Sequence, residues 1–267
     1  MRGLVLLMLG WAFGALYGFT SLGLLAVFLP VCTALLGFSV ERATTAGWLV
    51  TVSACASALM IWSQQFPPQT LLLPLWGTYL LMGLVVQALS LRRWRRSLQV
   101  YLLLLLAAVG LGMAWQAYPT LSSGVFRSGE SRLSPPAPEE WWQVALGGAL
   151  AGALGGLTGL GGGYVLVPTL VFAGIAPHGA LWLSLWLMLP MALLSLWAST
   201  KQGKPSWSQE GWLSAGAFLG GSAGATWAVG LSAGMLVLCF GVVMAVLALI
   251  TWRSLAVLGK ATSLKDG

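Results

Sequence analysis

Residues 148–168 read GALAGALGGLTGLGGGYVLVP, and this stretch decides the expected fold. The stretch is apolar, yet it contains a dense run of glycines over 159–163. Glycine inside a helix costs about 1 kcal/mol relative to alanine, so the run predicts that a helix breaks here. Because lipid cannot hydrogen-bond to broken backbone, a break at membrane depth has to be buried in protein or line a wet cavity.

The composition is that of a membrane protein that crosses the bilayer several times. Of 267 residues, 58% are hydrophobic and 7% are charged, and the mean hydropathy is +0.87. The lipid bilayer is therefore an expected partner. The excess of 13 Lys and Arg over 6 Asp and Glu reports orientation in the bilayer, and the basic run 92–96 predicts a cytoplasmic anchor. No nucleic acid partner is expected.

A glycine-rich break that opens a new helix is a candidate anion site. The first N–H groups of the new helix lack helical partners and lie at the positive end of its dipole. We therefore predict that a small anion binds around the break, at Thr158, Gly159, Gly161, Gly162 and Gly163. The alternative is that the glycines serve only close helix packing, because glycines at three- and four-residue spacing also occur along 148–159.

A similar pattern occurs near the N-terminus. A shift of 138 positions superposes residues 10–30 on residues 148–168 with ten identities in 21 positions. The identical residues of the first copy are Gly10, Gly14, Ala15, Leu16, Gly18, Thr20, Leu22, Gly23, Val27 and Pro30. An internal duplication explains this match and predicts that both copies form the same broken helix.

The duplication adds a second set of candidate residues. Thr20, Ser21 and Gly23 occupy the break of the first copy and are predicted to bind the same anion through backbone N–H and hydroxyl groups. The alternative for Thr20 and Thr158 is that each hydroxyl bonds a carbonyl of its own helix. Three further hydroxyls are candidates for the same cavity, with helix capping favoured for the two threonines: Thr44, Thr45 and Ser184.

Two prolines complete the duplicated pattern. Pro30 and Pro168 superpose under the same shift. Proline lacks an N–H group and disrupts the helix around it. Both residues are therefore predicted as helix-break or hinge positions.

The basic residues favour one topology. If both long apolar blocks are hairpins that return to the side they came from, and the N-terminus is cytoplasmic, then 11 of 13 Lys and Arg lie inside and only Arg127 and Arg132 lie outside. If only the second block is a hairpin, Arg2 moves outside and 10 remain inside. The symmetric model treats the two copies alike and is preferred. It places both termini in the cytoplasm.

The predicted fold is an all-α polytopic membrane protein with two inverted repeats, each a broken or re-entrant helical hairpin plus three transmembrane helices. The predicted domains are a first repeat over 1–118, an external linker over 119–140 and a second repeat over 141–267. Two inverted copies can expose one midplane site to either side of the membrane in turn. This architecture predicts a secondary transporter that works by alternating access between the two hairpin tips.

The glycine motif also resembles a known family. Gly159-Leu160-Gly161-Gly162-Gly163 followed by Pro168, in a duplicated apolar chain, resembles the TauE/SafE family of sulfite and organosulfur anion exporters. The resemblance implies transport of small sulfur-containing anions, such as sulfite, sulfoacetate or thiosulfate, across a bacterial inner membrane. In the first copy, however, Leu24 and Leu25 follow Gly23. The site is therefore either asymmetric or adapted to another substrate.

Enzyme chemistry is not expected. One histidine and three scattered cysteines supply neither a nucleophile with its base nor a metal cluster, so no metal and no cofactor are predicted. No carboxylate lies inside a predicted span, which argues against a buried proton relay. Two alternatives stay open: transport of another small organic anion, and a structural subunit of a membrane complex. A homodimer is also possible from the sequence, and the direction of transport and the coupling ion are left open.

Overall fold

The computed structural model describes residues 2–23, 25–65, 77–83, 112, 141–158, 162–200 and 207–263. Every regular element in this part of the chain is an α-helix, and it contains no strand. The helices are α1 (Arg2–Thr20), α2 (Leu25–Leu36), α3 (Val40–Trp62), α4 (Trp141–Thr158), α5 (Gly163–Phe172), α6 (Pro177–Thr200), α7 (Trp207–Gly230) and α8 (Ala233–Ser263). A helical segment also covers 77–83.

Three of the described helices are long and apolar enough to cross a bilayer. They cover Gly3–Thr20, Val40–Trp62 and Pro177–Thr200. This confirms the predicted class, a helical membrane protein. The polar turn at 63–65 and the interruption between Gly230 and Ala233 also fall where the sequence separates its apolar blocks.

The chain divides into two compact units. The first comprises residues 1–90 and 128–231, and the second comprises 91–127 and 232–267. The first unit contains α1 to α7, and the second contains α8. Ser232 caps the start of α8, because its hydroxyl accepts a hydrogen bond from the Met235 N–H at 3.4 Å. The description below concerns the first unit. The division of the sequence into two repeats stays a prediction.

The helix bounds follow the 138-residue shift found in the sequence. Moved by 138 positions, the bounds of α1, α2 and α3 fall within two residues of those of α4, α5 and α6. Both copies therefore break at the same place, after Thr20 and after Thr158. The full inverted repeat stays a prediction, because it also involves spans outside the described residues.

Helices α1 and α7 run side by side in the same direction, with glycines at their contact. A Cβ atom added to any of these glycines would collide with a carbonyl oxygen of the facing helix. The glycines are Gly10, Gly14 and Gly18 on α1 and Gly216, Gly220 and Gly224 on α7. Small residues at four-residue spacing let two backbones approach this closely, as in membrane helix dimers.

Helix α2 folds back along α1 as the second limb of a hairpin. The ring of Phe28 on α2 packs against that of Phe13 on α1, with centroids 5.1 Å apart and planes at 74°. With 12 residues, α2 is about 18 Å long, which is too short to cross the hydrocarbon core. The chain then turns at Gly37, which has a φ of 65°, and α3 begins after its N-cap Ser39. The first hairpin therefore has a long limb and a short one.

Contacts at the helix ends show the relative directions of α3, α6 and α7. At one end, Arg42 near the start of α3 pairs with Glu210 near the start of α7, and Thr45 reaches the Ser199 carbonyl near the end of α6 at 3.3 Å. At the other end, the rings of Trp62 and His178 lie 5.9 Å apart. Helices α3 and α6 are therefore antiparallel, and the two hairpins lead into them from opposite ends of the unit.

The two prolines do not lie at the helix breaks. Pro30 lies inside α2 and Pro168 lies inside α5. This corrects their predicted position as helix breaks, because the helices begin about one turn and a half before each proline and continue past it. Each proline is the sixth residue of its helix, where it removes one backbone N–H donor without ending the helix. A role as hinges stays a prediction.

Candidate functional site

The first break lies between α1 and α2. Ser21 has a φ of 51°, in the left-handed region, and its N–H donates to the Tyr17 carbonyl at 2.7 Å. The Thr20 hydroxyl donates to the Leu16 carbonyl at 2.6 Å and accepts from the Leu22 N–H at 3.3 Å. Thr20 therefore bonds its own helix, as the alternative for this residue expected. Gly23 lies in the same break and is half-buried.

The second break lies between α4 and α5. Thr158 ends α4, and its side chain, like Gly159 and Gly161, lies outside what the structure describes. Gly162 is the N-cap residue of α5, and its N–H donates to the Tyr79 hydroxyl at 3.1 Å. A Cβ atom on Gly162 would collide with the Ala151 carbonyl oxygen, so this position accommodates only glycine without rearrangement.

The two breaks meet inside the protein. A Cβ atom on Gly163 would collide with the Ser21 carbonyl oxygen and lie 3.1 Å from the Met188 sulfur on α6. Ser21 and Gly163 are both buried. Of the predicted site residues, the structure thus brings together Ser21, Gly162 and Gly163.

Hydroxyl groups surround this contact. The Tyr17 hydroxyl lies 3.7 Å from the Met188 sulfur, and the Ser184 hydroxyl lies 3.8 Å from it. The Ser21 hydroxyl has no hydrogen-bond partner among the described residues. We call Tyr17, Ser21, Tyr79, Ser184 and Met188 the tip cluster. Each of its residues is at most 2% exposed.

The tip cluster contains no charged side chain. Its polar groups are hydroxyls and a thioether, and Gly162 and Gly163 open the positive end of α5 beside it. Neutral donors bind an anion less tightly than a buried arginine would, which suits a site that also has to release its ligand. The nearby buried Cys55, expected as a packing residue, donates its S–H to the Leu185 carbonyl at 3.2 Å.

The packing around the tips is tight. A cavity between α1, α2 and α3 that reaches Tyr17 measures about 10 Å³ and is otherwise lined mainly by apolar groups. That is close to the smallest space that holds one water molecule. The contact of the two tips is shown by Gly163, where an added Cβ atom would collide with the Ser21 carbonyl oxygen.

Sequence reasoning named some residues of the cluster and missed others. Ser21 and Ser184 were candidates from the sequence, whereas Tyr17, Tyr79 and Met188 were not. Tyr17 could have been inferred, since it lies one helical turn before Ser21 and shares its face. The threonines proposed beside Ser184 lie elsewhere, because the Thr44 and Thr45 hydroxyls bond the Val40 and Glu41 carbonyls at the start of α3.

A buried carboxylate lies near the start of α7. Glu210 is 1% exposed, and its Oε1 atom accepts from the Arg42 Nε–H at 2.9 Å. The pair lies at the starts of α3 and α7, away from the helix breaks. Among the described residues, no group of three or more His, Cys, Asp or Glu is arranged to hold a metal ion.

Apolar helices and two helix breaks that meet in a buried, charge-free polar cluster define a class, the helical membrane proteins. The particular family follows from the comparison with known proteins. Residues 144–265 match the family described as Sulfite exporter TauE/SafE, so this part of the chain is similar to that family. The match covers the glycine motif and extends through α8. No curated protein and no solved structure matches the chain.

Proposed function

We propose that the protein is an inner-membrane transporter that exports small sulfur-containing anions, such as sulfite, sulfoacetate or thiosulfate. The observation that carries this proposal is the contact between the two helix breaks, where Gly163 lies against Ser21. The description of the family matched by residues 144–265, Sulfite exporter TauE/SafE, supports the substrate class. A family of transporters also fits the expectation that the protein is not an enzyme.

The substrate anion binds between the hairpin tips. Its donors are backbone N–H groups of the second break, at Gly159, Gly161 and Gly163, and of Gly23 in the first break, together with hydroxyls of the two tips. Gly162 joins them once its N–H exchanges the Tyr79 hydroxyl for the anion. The positive end of the α5 dipole adds a favourable field. Because these groups are neutral, the anion can leave without a change in the protonation state of the site.

Alternating access follows from the opposite directions of the two hairpins. Each short limb, α2 or α5, leads into its following helix at a different end of the unit. Separation of the tips toward one end opens the site to that side, while the other end stays closed by its own contacts. A membrane potential that is negative inside favours exit of an anion by about 2.3 kcal/mol per charge at 100 mV, which supports export.

Flux into liposomes tests this function. Purified protein is reconstituted and the uptake of radiolabelled sulfite, sulfoacetate and thiosulfate is measured, with lactate as a carboxylate control. We expect flux of at least one sulfur oxyanion. Absence of flux for all four anions under every imposed gradient would contradict the proposal.

A glycine substitution links the flux to the tips. Gly163→Ala places a Cβ atom against the Ser21 carbonyl and should remove most of the flux, because the tips can no longer close. The matched control is Gly77→Ala, at an exposed glycine with open space around its Cβ position. Equal flux in both variants would indicate that the substrate does not bind at the tips.

A further inference from the structure

Two buried hydroxyls of the tip cluster share one poor acceptor. The Tyr17 O–H and the Ser184 O–H both point to the sulfur of Met188, at 3.7 and 3.8 Å. Tyr17 is 2% exposed and Ser184 is fully buried. Ser184 lies one helical turn before Met188 on α6, whereas Tyr17 reaches the same sulfur from α1, so the two hydroxyls meet at Met188 through the packing of α1 on α6.

This arrangement leaves hydrogen-bonding capacity unused. A thioether sulfur is a weak acceptor, whereas buried hydroxyls in proteins nearly always have a good one. The Ser21 hydroxyl, which is also fully buried, has no partner at all among the described residues. Two O–H donors thus lie at the Met188 sulfur without a strong acceptor, and the first helix break contains a third that has no partner among the described residues.

The missing acceptor has a defined chemistry. Hydroxyl donors arranged around one point, beside the positive end of a helix, favour negatively charged oxygen atoms. The two hydroxyls converge on one point beside Gly163, so an anion that carries several oxygen atoms on one head group, such as sulfite or a sulfonate, can accept from both at once.

We infer that Tyr17 and Ser184 donate hydrogen bonds to oxygen atoms of the transported anion, in the place that the Met188 sulfur occupies in the closed structure. This inference rests on the proposed function and deepens it, because it assigns specificity-determining residues and selects an oxyanion head group. The Met188 sulfur then accepts from the two hydroxyls in the absence of substrate, and substrate oxygen atoms displace it.

The first test compares two serines of the same helix. Ser184→Ala removes the proposed donor, and Ser195→Ala removes another buried hydroxyl of α6 that has no partner among the described residues. For the fastest of the three sulfur oxyanions, we expect KM to rise by about tenfold to a hundredfold in Ser184→Ala, as for loss of a hydrogen bond to a charged group. KM of Ser195→Ala should stay at the wild-type value.

Tyr17→Phe is the second donor variant. It should raise KM in the same direction as Ser184→Ala, with folding checked by size-exclusion chromatography in detergent. If Tyr17→Phe does not fold, the comparison of the two serines alone decides. A KM at the wild-type value in Ser184→Ala overturns the inference, while flux in the unmodified protein leaves the proposed function intact.

A substitution with the opposite expected effect on KM distinguishes a role in substrate binding from a role in protein structure. Met188→Leu keeps the volume but removes the sulfur acceptor, so the two hydroxyls become available to the substrate. We expect KM to fall a few-fold, since a weak competing hydrogen bond is lost. If the cluster has a purely structural role, KM changes in the same direction in Met188→Leu and in Ser184→Ala. A KM that is unchanged or raised in Met188→Leu overturns the inference that substrate oxygens displace the Met188 sulfur.

Discussion

Ser21 is the residue on which the first helix break depends. A φ of 51° is unusual for a residue with a side chain, because the Cβ atom approaches the following carbonyl oxygen. Under the 138-residue shift, Ser21 aligns with Gly159, so the second copy has glycine at the corresponding position. The first copy thus keeps a hydroxyl at a position where glycine would fit more easily.

The strain at Ser21 can be measured with two substitutions that both remove the hydroxyl. Ser21→Gly should be more stable than Ser21→Ala by about 0.5–1 kcal/mol, because only glycine adopts a positive φ without a steric penalty. Thermal unfolding in detergent measures the difference. Equal stability of the two variants, or a more stable alanine variant, would show that Ser21 is not held in the left-handed region.

The sequence predicted part of the site at this scale. Gly162 and Gly163 could be identified because clustered glycines are a local signal, and Ser21 followed from the duplication. Tyr79 could not, since it meets Gly162 across 83 positions of sequence, through packing of a helix that no local pattern connects to the tip. The hydroxyl of Thr20 was a candidate ligand, but local geometry directs it to its own helix.

At the scale of elements, the contact of α1 with α7 shows why glycine is needed outside the tips. The apolar blocks predict both helices, but they do not predict that these two pair, because the partner is chosen by interlocking backbone shapes. The packing alternative stated for the glycines along 148–159 holds at Gly152, where a Cβ atom would collide with the Tyr79 carbonyl oxygen. The anion-binding role of the glycines at the break stays a prediction.

A single methyl group should disrupt this contact. Gly220→Ala places a Cβ atom against the Trp11 carbonyl oxygen, and overpacking of this kind costs about 1–3 kcal/mol. Gly211→Ala, on the same helix but with open space around its Cβ position, is the matched control and should be neutral or slightly stabilising. Unfolding temperatures in detergent compare the two. If both variants unfold at the same temperature, α1 and α7 are not in backbone contact.

The ion pair of Arg42 with Glu210 is a second link between elements. Arg42 also donates to Gln209 at 2.9 Å and lies 4.2 Å from the ring centroid of Phe38. The two charges are 168 positions apart in the sequence, and their pairing across α3 and α7 depends on the tertiary fold. The pair joins the helix after the first hairpin to a helix of the second half.

Removal of one partner should be costly. Glu210→Ala leaves the guanidinium without its carboxylate, which we expect to lower stability by about 2 kcal/mol, below the usual cost for a fully buried pair because the Arg42 side chain is 27% exposed. The double variant Arg42→Met with Glu210→Leu should recover part of this loss, as a double-mutant cycle in detergent would show. A double variant less stable than Glu210→Ala would argue against this account.

At the scale of the molecule, the hydrophobic blocks and the duplication account for the order and the bounds of the described helices. They do not fix the lengths of the limbs, and α2 and α5 are short because the chain turns back soon after each proline. A glycine with positive φ follows each short helix, Gly37 at 65° after α2 and Gly174 at 83° after α5. These turns depend on local backbone conformation that the hydrophobic pattern does not specify.

Labelling of single cysteines tests the topology. Ser39→Cys and Ser208→Cys introduce exposed thiols at the starts of α3 and α7, and Gln65→Cys and Gly230→Cys introduce exposed thiols at the opposite end. The background lacks the native thiols Cys32, Cys55 and Cys239. With the N-terminus in the cytoplasm, only positions 65 and 230 should react with a membrane-impermeant reagent added outside whole cells. A reaction at 39 together with 65 would contradict the re-entrant first hairpin.

The glycine contact between α1 and α7 has a mechanical consequence. Carbonyl oxygens of one helix fill the notches left by glycines of the other, so neither helix can slide or rotate without a steric clash. The two helices therefore move as one rigid body. If the tips separate as proposed, the bending therefore has to occur in the short limbs α2 and α5 and their turns, while α1 keeps its position against α7.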